Sequence, residues 1–402
     1  MVYFIFILKS AIEDFRRNKI RTFLTSLGIL IGVSSVVLLI SFGLGLKQYI
    51  KNQFESLGTN LIIIMPGKLL EGGSFSSGSG GIGGIRFDEK DVLAIRKVKN
   101  TTYVVPVYTK SVTVEGEGQS EIGTLYATTA DIFPIRNLEV EYGSFFDKND
   151  VEKRSKKLVI GPKLAEKIFG GSGDALGKIV KIEKQAFTVG GVLKSKGGGG
   201  FGGPDFDTFV YMPYKSALAF NPEKEFYTIL IKANSEEAIP QVKEDLNTAL
   251  LKTYKEDEFS VVEQTEILNA VASIFTILNT VLVAIAAISL IVGGIGIMNI
   301  MYVSVIERTR EIGIRRAMGA TGRDVLTQFI LEAVILSLIG GLMGLGLSFL
   351  VVLIIQPFFP AYVDTTAVAI AIGVSSGIGI IFGVFPAKRA SDLSPIEAIR
   401  YE

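Results

Sequence analysis

Residues 288–344 read ISLIVGGIGIMNIMYVSVIERTREIGIRRAMGATGRDVLTQFILEAVILSLIGGLMG. Two long apolar stretches flank a short loop, residues 306–324, in which arginines and acidic residues are concentrated. Charged side chains are costly within lipid, whereas apolar stretches of this length are suited to it. The segment therefore predicts two membrane helices joined by a short charged loop.

Four segments of the chain are long and apolar enough to cross a bilayer. A hydrocarbon core of about 30 Å requires roughly 20 apolar residues in a helix. The chain meets this requirement at residues 22–46, 271–305, 325–355 and 367–386. We expect transmembrane helices there. Glu332 is the charged residue of the third. A charge within a membrane helix can mark a functional site, but we favour a structural role in which Glu332 either snorkels to the inner interface or pairs with an arginine of the 306–324 loop.

The composition excludes several kinds of site. The chain has 402 residues and contains neither Cys nor His. A Ser-His-Asp triad, a cysteine nucleophile and a zinc site with His or Cys ligands are therefore excluded. The formal net charge of +1 provides no basic field for nucleic acid. We expect no catalytic residue, no metal site and no cofactor, and we do not expect an enzyme.

The segment GSGDALGKI at residues 171–179 resembles a phosphate-binding loop only superficially. Such a loop needs a glycine where Ser172 stands, and a Ser or Thr for Mg²⁺ where Ile179 stands. We therefore predict a turn before a strand here, and no nucleotide site.

The distribution of Lys and Arg predicts the orientation in the membrane. Positive charges are concentrated in residues 1–21, 306–324 and 387–402, whereas the loop at 356–366 has neither Lys nor Arg. Short basic segments stay in the cytoplasm. Both termini and the 306–324 loop are therefore expected inside, and 47–270 and 356–366 outside. Residues 1–21 are predicted as an amphipathic elbow helix on the inner membrane face, the alternative being a short cytoplasmic helix without membrane contact.

The outer segment alternates strand and helix patterns, so the predicted fold class is an α+β membrane protein. Its large extracytoplasmic α/β domain has split βα halves around an inserted β-rich lobe. The glycine-rich stretches at 67–84 and 197–204 are predicted as loops. Helices are predicted at 87–98 and 235–252, a strand, turn and helix over 158–170, and strands at 61–65, 101–114, 121–129, 178–182, 186–193, 209–213, 226–233 and 259–263.

The charged loop has a pattern that suits either of two roles. Its charges alternate with apolar residues, which predicts a short helix at the exit of the second membrane helix. A soluble partner could bind the apolar residues in a groove and pair with the arginines; alternatively, the arginines serve only as positive anchors. The candidate coupling residues are Glu307, Arg308, Arg310, Glu311, Ile312, Arg315, Arg316 and Met318. We expect Glu311, Ile312, Arg315 and Met318 to lie nearest to the partner.

Glycines recur in the membrane segments at spacings that favour helix contact. Small residues let helix backbones approach closely in lipid. We expect them to pack within or between subunits, although glycine is also common in membrane helices for other reasons. The candidates are Gly28, Gly32, Gly293, Gly294, Gly340, Gly344, Gly373 and Gly377.

The segment 288–344 resembles the FtsX-like permease domain, and most closely its MacB-like branch. The ERTREIGIRRAMGA loop carries the likeness, together with RTFLTSLGILIGVSSVV near the N-terminus and FPAKRASDLSPIEAIRYE at the C-terminus. The outer phrases VIGPKLAEKIFG, DALGKIVKI and FTVGGVL are more weakly similar. The resemblance implies that 47–270 is a MacB-like core domain and that the 306–324 loop couples to an ATPase.

The resemblance implies that the chain is the permease of an ABC-type export or mechanotransmission complex in the bacterial or archaeal inner membrane. MacB-like proteins carry an N-terminal ATPase, whereas this chain starts at the elbow helix, so we expect a separate ATPase subunit. Other expected partners are a second copy of the chain, membrane lipid and a membrane-fusion adaptor. The cargo would be a drug, peptide or lipoprotein-like substrate.

The alternative is an FtsX-type signal relay, in which the outer domain activates a partner such as a cell-wall hydrolase and nothing is transported. The large outer segment and its MacB-like phrases favour export. An adaptor encoded beside the chain would support export, and a hydrolase would support the relay.

The predicted orientation can be tested with cysteine labelling, since the chain has no cysteine of its own. A cysteine at Ser76 or Ser172 should react with a membrane-impermeant maleimide on intact cells, whereas one at Thr321 should react only after lysis. Labelling of Thr321→Cys in intact cells would reverse the orientation.

Overall fold

The computed structural model describes residues 19–56, 60–71, 74–75, 85–197 and 205–400. The predicted elbow helix falls outside these residues except at its last three positions, and so does nearly all of the 197–204 loop. Contacts divide the chain into two units. We call Met1–Tyr49 with Ile274–Glu402 the helical unit, and Ile50–Ser273 the sheet unit.

The helices and strands are numbered in chain order. The helices are α1 Lys19–Ser56, α2 Glu89–Ile95, α3 Ile132–Ile135, α4 Lys148–Glu152, α5 Pro162–Phe169, α6 Ile239–Leu250, α7 Gln264–Glu307, α8 Thr309–Ala317, α9 Gly322–Ile355, α10 Thr365–Asp392 and α11 Pro395–Arg400. The strands are β1 Leu61–Pro66, β2 Leu70–Glu71, β3 Ser74–Phe75, β4 Thr101–Gly116, β5 Gln119–Thr128, β6 Val140–Gly143, β7 Lys157–Ile160, β8 Ile179–Ile182, β9 Gln185–Leu193, β10 Phe209–Pro213, β11 Thr228–Ala233 and β12 Phe259–Glu263.

Among the described residues, four helices, α1, α7, α9 and α10, are long and apolar enough to cross a membrane. Each of the four predicted spans lies within one of them. The helices extend further than the apolar runs, and α7 continues for 44 residues. Two of them begin with side-chain caps: Thr321 and Asp324 form a reciprocal capping box at α9, and Asp364 accepts a hydrogen bond from the Ala367 amide at α10.

Glycines allow α1 and α7 to approach backbone to backbone. A methyl group on Gly28 would lie 2.8 Å from the Cα of Gly293, too close for any Cβ. A methyl group on Gly32 would likewise come too close to the Leu290 side chain. The other predicted glycines with tight surroundings are Gly294 against Phe382, and Gly340 and Gly344 against α1.

Two of the predicted packing glycines meet no neighbour among the described residues. A methyl group on Gly373 or Gly377 would meet no atom of the described residues within 4 Å. Of the two kinds of packing expected, within or between subunits, this pair therefore shows none with the other described helices. A contact of these glycines with a second copy stays a prediction.

The sheet unit is built on a split βαβ arrangement. Strands β12, β1, β11 and β4 lie side by side in that order, each antiparallel to its neighbour. Helices α2 and α6 connect β1 to β4 and β11 to β12, which gives the order β-α-β-β-α-β. The remaining strands, β5 to β10, are inserted between β4 and β11 and extend the same sheet. The predicted split halves with an inserted β-rich lobe are therefore confirmed.

Side chains alternate between two cores on opposite faces of this sheet. Along β10, Val210 and Met212 join the core under α2, α5 and α6, whereas Phe209 and Tyr211 join the second core on the other face. This alternation explains why the strand is apolar at every position and buried throughout.

Three short elements, strand β6 and helices α3 and α4, were not predicted, and one predicted loop is partly strand. Strand β6 is mostly exposed, although Leu138, Val140 and Tyr142 alternate with glutamates in the sequence. The capping box of Asp147 and Asp150 at α4 was a usable signal in the sequence. Within the predicted 67–84 loop, β2 and β3 form a short antiparallel hairpin, which corrects that prediction.

Candidate functional site

The charged loop after α7 folds into a helix, as its alternating pattern predicted. Helix α7 ends at Glu307, Arg308 alone separates it from α8, and α8 ends one turn before the α9 cap. The Thr309 hydroxyl donates a hydrogen bond to the Val305 carbonyl, 2.9 Å away, across the break between the two helices. The short connection therefore places α8 beside the first turns of α9.

A buried ion pair joins the start of α8 to α9. The Nη1 atom of Arg308 lies 3.1 and 3.3 Å from the two carboxylate oxygens of Glu332. The Glu332 side chain is only 7% exposed, and that of Arg308 is 15% exposed. The prediction that Glu332 pairs with an arginine of the 306–324 loop is confirmed. A buried charge of this kind persists because it has a partner of opposite sign.

The ion pair belongs to a larger network that also holds the middle of α8. Glu311 accepts hydrogen bonds from Arg308, at 3.1 Å, and from Arg315. Arg315 also donates to the Gln328 side-chain oxygen, 2.8 Å away, and Gln328 donates to Glu332 at 3.2 Å. The five side chains thus form a closed ring of contacts between α8 and α9. Its two arginines and two glutamates balance in formal charge.

The charge state of Glu311 follows from this ring. Partial burial by itself would raise the pKa of Glu311, but hydrogen bonds and charge from Arg308, and then from Arg315, outweigh it and hold the pKa below its usual value. Because the folded-state pKa is lowered, the stabilisation is present at neutral pH and is lost as the pH falls through that pKa.

A third attachment ties the end of α8 to the end of α10. The guanidinium of Arg316 donates to the backbone carbonyls of Ser391 and Leu393, at 2.7 and 2.6 Å. The last carbonyls of a helix lack partners within that helix and carry partial negative charge, so a cation is favoured there. Nearby, Arg389 of α10 stacks over the ring of Tyr302 in α7, 4.6 Å from its centroid. Helix α8 is therefore attached to both α9 and α10.

Apolar contacts fix the inner face of α8. Ile312 is 4% exposed and joins the core of the helical unit together with Val305, Val325 and Phe329. Thr309 and Gly313 are buried on the same face. The ring of charges and this apolar face act together to determine which side of α8 points outward.

The exposed face of α8 differs from the one expected. Ile312 was predicted to lie nearest to a partner, but it is buried in the core, and Arg315 is engaged by Glu311 and Gln328. Met318 alone of the expected four is strongly exposed, at 76%. Sequence spacing indicated two faces of the helix but not which of them the chain itself covers.

The residues that α8 presents form one stripe. Arg310, Ile314 and Met318 follow each other at intervals of four residues, so they share one side of the helix. Ile314 is 45% exposed, and Arg310 makes no ion pair among the described residues. We call these three residues the α8 stripe; the predicted coupling residue Glu307 is also exposed, close to it.

Two further sequence predictions, on metal ligands and on the 171–179 segment, concern the described part of the chain. No group of three or more acidic side chains is placed to hold a metal ion there. In the 171–179 segment, a single turn of 3-10 helix at Gly173–Ala175 leads to β8.

Comparison with protein families gives two matches. The sequence model described as the MacB-like periplasmic core domain matches residues 22–249. The model described as the FtsX-like permease C-terminal domain matches residues 283–395, which include the whole of α8 and its attachments on α9 and α10.

Similar curated proteins agree with these family matches. The macrolide export ATP-binding/permease protein MacB of Neisseria meningitidis is 36% identical over 401 residues, or 98% of this chain, and that of Bdellovibrio bacteriovorus is 35% identical over 412 residues. This chain spans 61% of the length of each of these curated relatives.

Two solved domains are also similar. The periplasmic region of MacB from Actinobacillus actinomycetemcomitans aligns with a TM-score of 0.45 at 19% identity, covering 56% of this chain and 97% of that one. The extracellular domain of the noncanonic ABC-type transporter YknZ from Gram-positive bacteria aligns with a TM-score of 0.42 at 20% identity, covering 51% of this chain and 100% of that one.

Removal of the Glu332 charge should loosen α8. Breaking a buried ion pair by neutralising one partner costs about 3–5 kcal/mol because the other charge stays buried. We expect Glu332→Gln to lower the free energy of unfolding in detergent by an amount in this range. In the double variant with Arg308→Met, the loss of unfolding free energy should be clearly smaller than the sum of the losses in the two single variants.

The matched control is Arg310→Met, which removes a charge from the exposed side of the same helix and should leave stability unchanged. Wild-type stability of Glu332→Gln would show that the ring does not fix α8.

Proposed function

This chain belongs to the family of ABC transporter permeases that have a MacB-like periplasmic core domain and an FtsX-like permease domain, and we propose that it transmits ATP-driven motion from an ABC-type ATPase to its extracytoplasmic sheet unit. The observation that carries the proposal is the position of α8. A ring of paired charges, with Glu332 buried and Glu311 partly exposed, holds one side of this helix, and the opposite side is left exposed.

The α8 stripe has the chemistry of a helix that docks into a groove. Ile314 and Met318 offer apolar area, and methionine adapts well to a binding surface. Arg310 offers a cation at the edge of that area. A partner with a complementary surface would present an apolar groove bordered by carboxylates. We propose that the ATPase supplies this groove.

The attachments of α8 suit it to pass on a displacement. Network contacts join it to α9, and Arg316 joins it to the end of α10. Coupling between distant sites is carried by packed side chains and rigid elements of this kind. Helix α7 ends directly before α8 in the chain and is one continuous helix from Gln264 to Glu307. In our proposal, α7 is the element that carries motion to the sheet unit.

We further propose that both termini and α8 face the cytoplasm of a bacterial or archaeal cell, with the chain as a multi-pass inner-membrane protein. The Lys and Arg distribution supports this orientation. It places α8 where ATP is available and the sheet unit on the other side of the membrane.

A homodimer would complete the assembly. Four helices from one chain make a poor channel, and closed symmetric dimers are the commonest oligomers. Exposed apolar side chains on α7 and α10, such as Ile288 and Ile381, would then contact either lipid or the second copy.

The proposed activity is export of a drug, peptide or lipoprotein-like substrate. The relatives are named for macrolide export, so a macrolide is the first substrate to test. Efflux of a macrolide that depends on both this chain and the ATPase would support export. Activation of an outer hydrolase without efflux would instead favour a signal relay.

Charge reversal on the α8 stripe tests the docking surface. In Arg310→Glu combined with Met318→Glu, two carboxylates would face the acidic rim of the groove, and apolar area would be lost. We expect binding to the cognate ATPase to weaken at least about tenfold, equivalent to about 1.4 kcal/mol, and stimulation of ATP turnover to fall with it.

The control is Arg323→Glu, the same reversal at an exposed site in the first turn of α9, where an acidic residue is favoured. It should bind and stimulate as the wild type does. If the double variant also retains wild-type affinity and turnover, the α8 stripe is not the docking surface.

A further inference from the structure

The junction between the sheet and helix α7 contains no loop. Strand β12 ends at Glu263 and α7 begins at Gln264. Strand β12 lies at the edge of the sheet, and its last pairing to β1 is Glu263 opposite Ile62. Beyond that pair, the sheet ladder no longer holds the chain, so side chains must fix the direction in which the helix leaves the sheet.

Glu266 makes the contacts that could do so. One of its carboxylate oxygens accepts a hydrogen bond from the Glu263 amide, 3.0 Å away, which caps the first turn of α7. Both oxygens also accept from the Nζ atom of Lys243, at 2.6 and 2.7 Å. A single carboxylate therefore joins the end of β12, the start of α7 and helix α6.

Lys243 is itself held firmly by the sheet unit. It lies on α6, which packs into the main core through Val242, Leu246 and Leu250. The backbone carbonyl of Lys243 also accepts a hydrogen bond from the Asn247 side chain, 3.0 Å away. The position of its ammonium group thus follows the position of the sheet and its core.

The surroundings of the pair are partly shielded from solvent. Lys243 and Glu266 side chains are 29% and 40% exposed. They lie on the wall of a cleft of about 430 Å³, whose other polar lining includes Lys68, Glu256 and Asn269. An ion pair in such a place is less screened than one on the open surface.

We propose that Lys243 and Glu266 are positioning residues that hold the first turn of α7 in a fixed direction on the sheet unit. With the pair intact, a displacement of α7 turns the whole sheet unit; without it, the helix bends at the junction after Glu263. This inference rests on the proposed function, because it concerns the route by which ATP-driven motion reaches the sheet.

The rigidity of the junction can be measured without any ATPase. Spin labels on Ser120→Cys, at the start of β5, and Ser273→Cys, on α7, report the direction of the helix through the distribution of distances between them. The full-length chain in lipid nanodiscs should give one narrow distribution, and Lys243→Arg should preserve it because charge and donors are retained.

Lys243→Glu should broaden the distribution, since two carboxylates would then repel each other. We expect the population outside the wild-type peak to rise roughly five- to thirtyfold, the factor that corresponds to 1–2 kcal/mol. Glu266→Gln, which keeps the cap but loses the ion pair, should give the same change to a smaller extent. It serves as the second variant if Lys243→Glu does not fold.

The control is Lys194→Glu, which reverses a Lys–Glu pair with Glu139 beside the opposite edge strand, β6. It should leave the distribution narrow. A wild-type distribution in the folded Lys243→Glu protein, or in Glu266→Gln if the former does not fold, would overturn the proposal. Equal broadening in Lys194→Glu would also overturn it.

A second experiment adds the cognate ATPase and ATP, and measures the fluorescence of a fluorophore attached to Ser120→Cys alone. Lys243→Glu should reduce the ATP-dependent signal while ATP turnover stays at the wild-type rate. An ATP-dependent signal in Lys243→Glu as large as in the wild type would count against the proposed role of the Lys243–Glu266 pair. Absence of any ATP-dependent signal in the wild type would instead count against the proposed function, and the distance distributions would still decide the role of the pair.

Discussion

The buried contact between Arg308 and Glu332 determines how the end of the helical unit is arranged. A carboxylate at this depth in α9 needs a cation, and the single residue between α7 and α8 supplies it. Once Arg308 is bound there, α8 must run beside α9, with Ile312 inward and the α8 stripe outward. Glu311 and Arg315 close the ring, so charge balance and apolar burial require the same orientation of the helix.

Much of the fold could be predicted from the sequence because its signals are strong and local. Long uncharged runs indicated the four membrane helices, and alternating apolar patterns indicated most strands of the sheet. The partner of Glu332 was also predictable, since an isolated carboxylate close to several arginines has few other ways to be neutralised. Strand β6 was not predicted because its apolar alternation, at Leu138, Val140 and Tyr142, is only a few residues long, and pairing with β9 fixes its position.

The candidate site was only half predictable, for a physical reason. Periodicity shows that a helix has two faces, but it does not show which one the rest of the chain covers. Ile312 and Ile314 are the same residue type, and tertiary contacts alone make the first buried and the second exposed. Arg315 and Arg310 are also the same residue type, but Gln328 lies within reach of Arg315 alone. Which residues are left for a partner therefore depends on the internal network.

The claim that the network selects the docking face can be tested most directly by a cysteine scan along α8. Single cysteines would be labelled with a maleimide in the presence and absence of the cognate ATPase, and the chain has no cysteine to interfere. Our account predicts that the ATPase protects positions Arg310, Ile314 and Met318, at intervals of one helical turn. Protection centred instead on Glu311 and Arg315, with the α8 stripe still reactive, would contradict it.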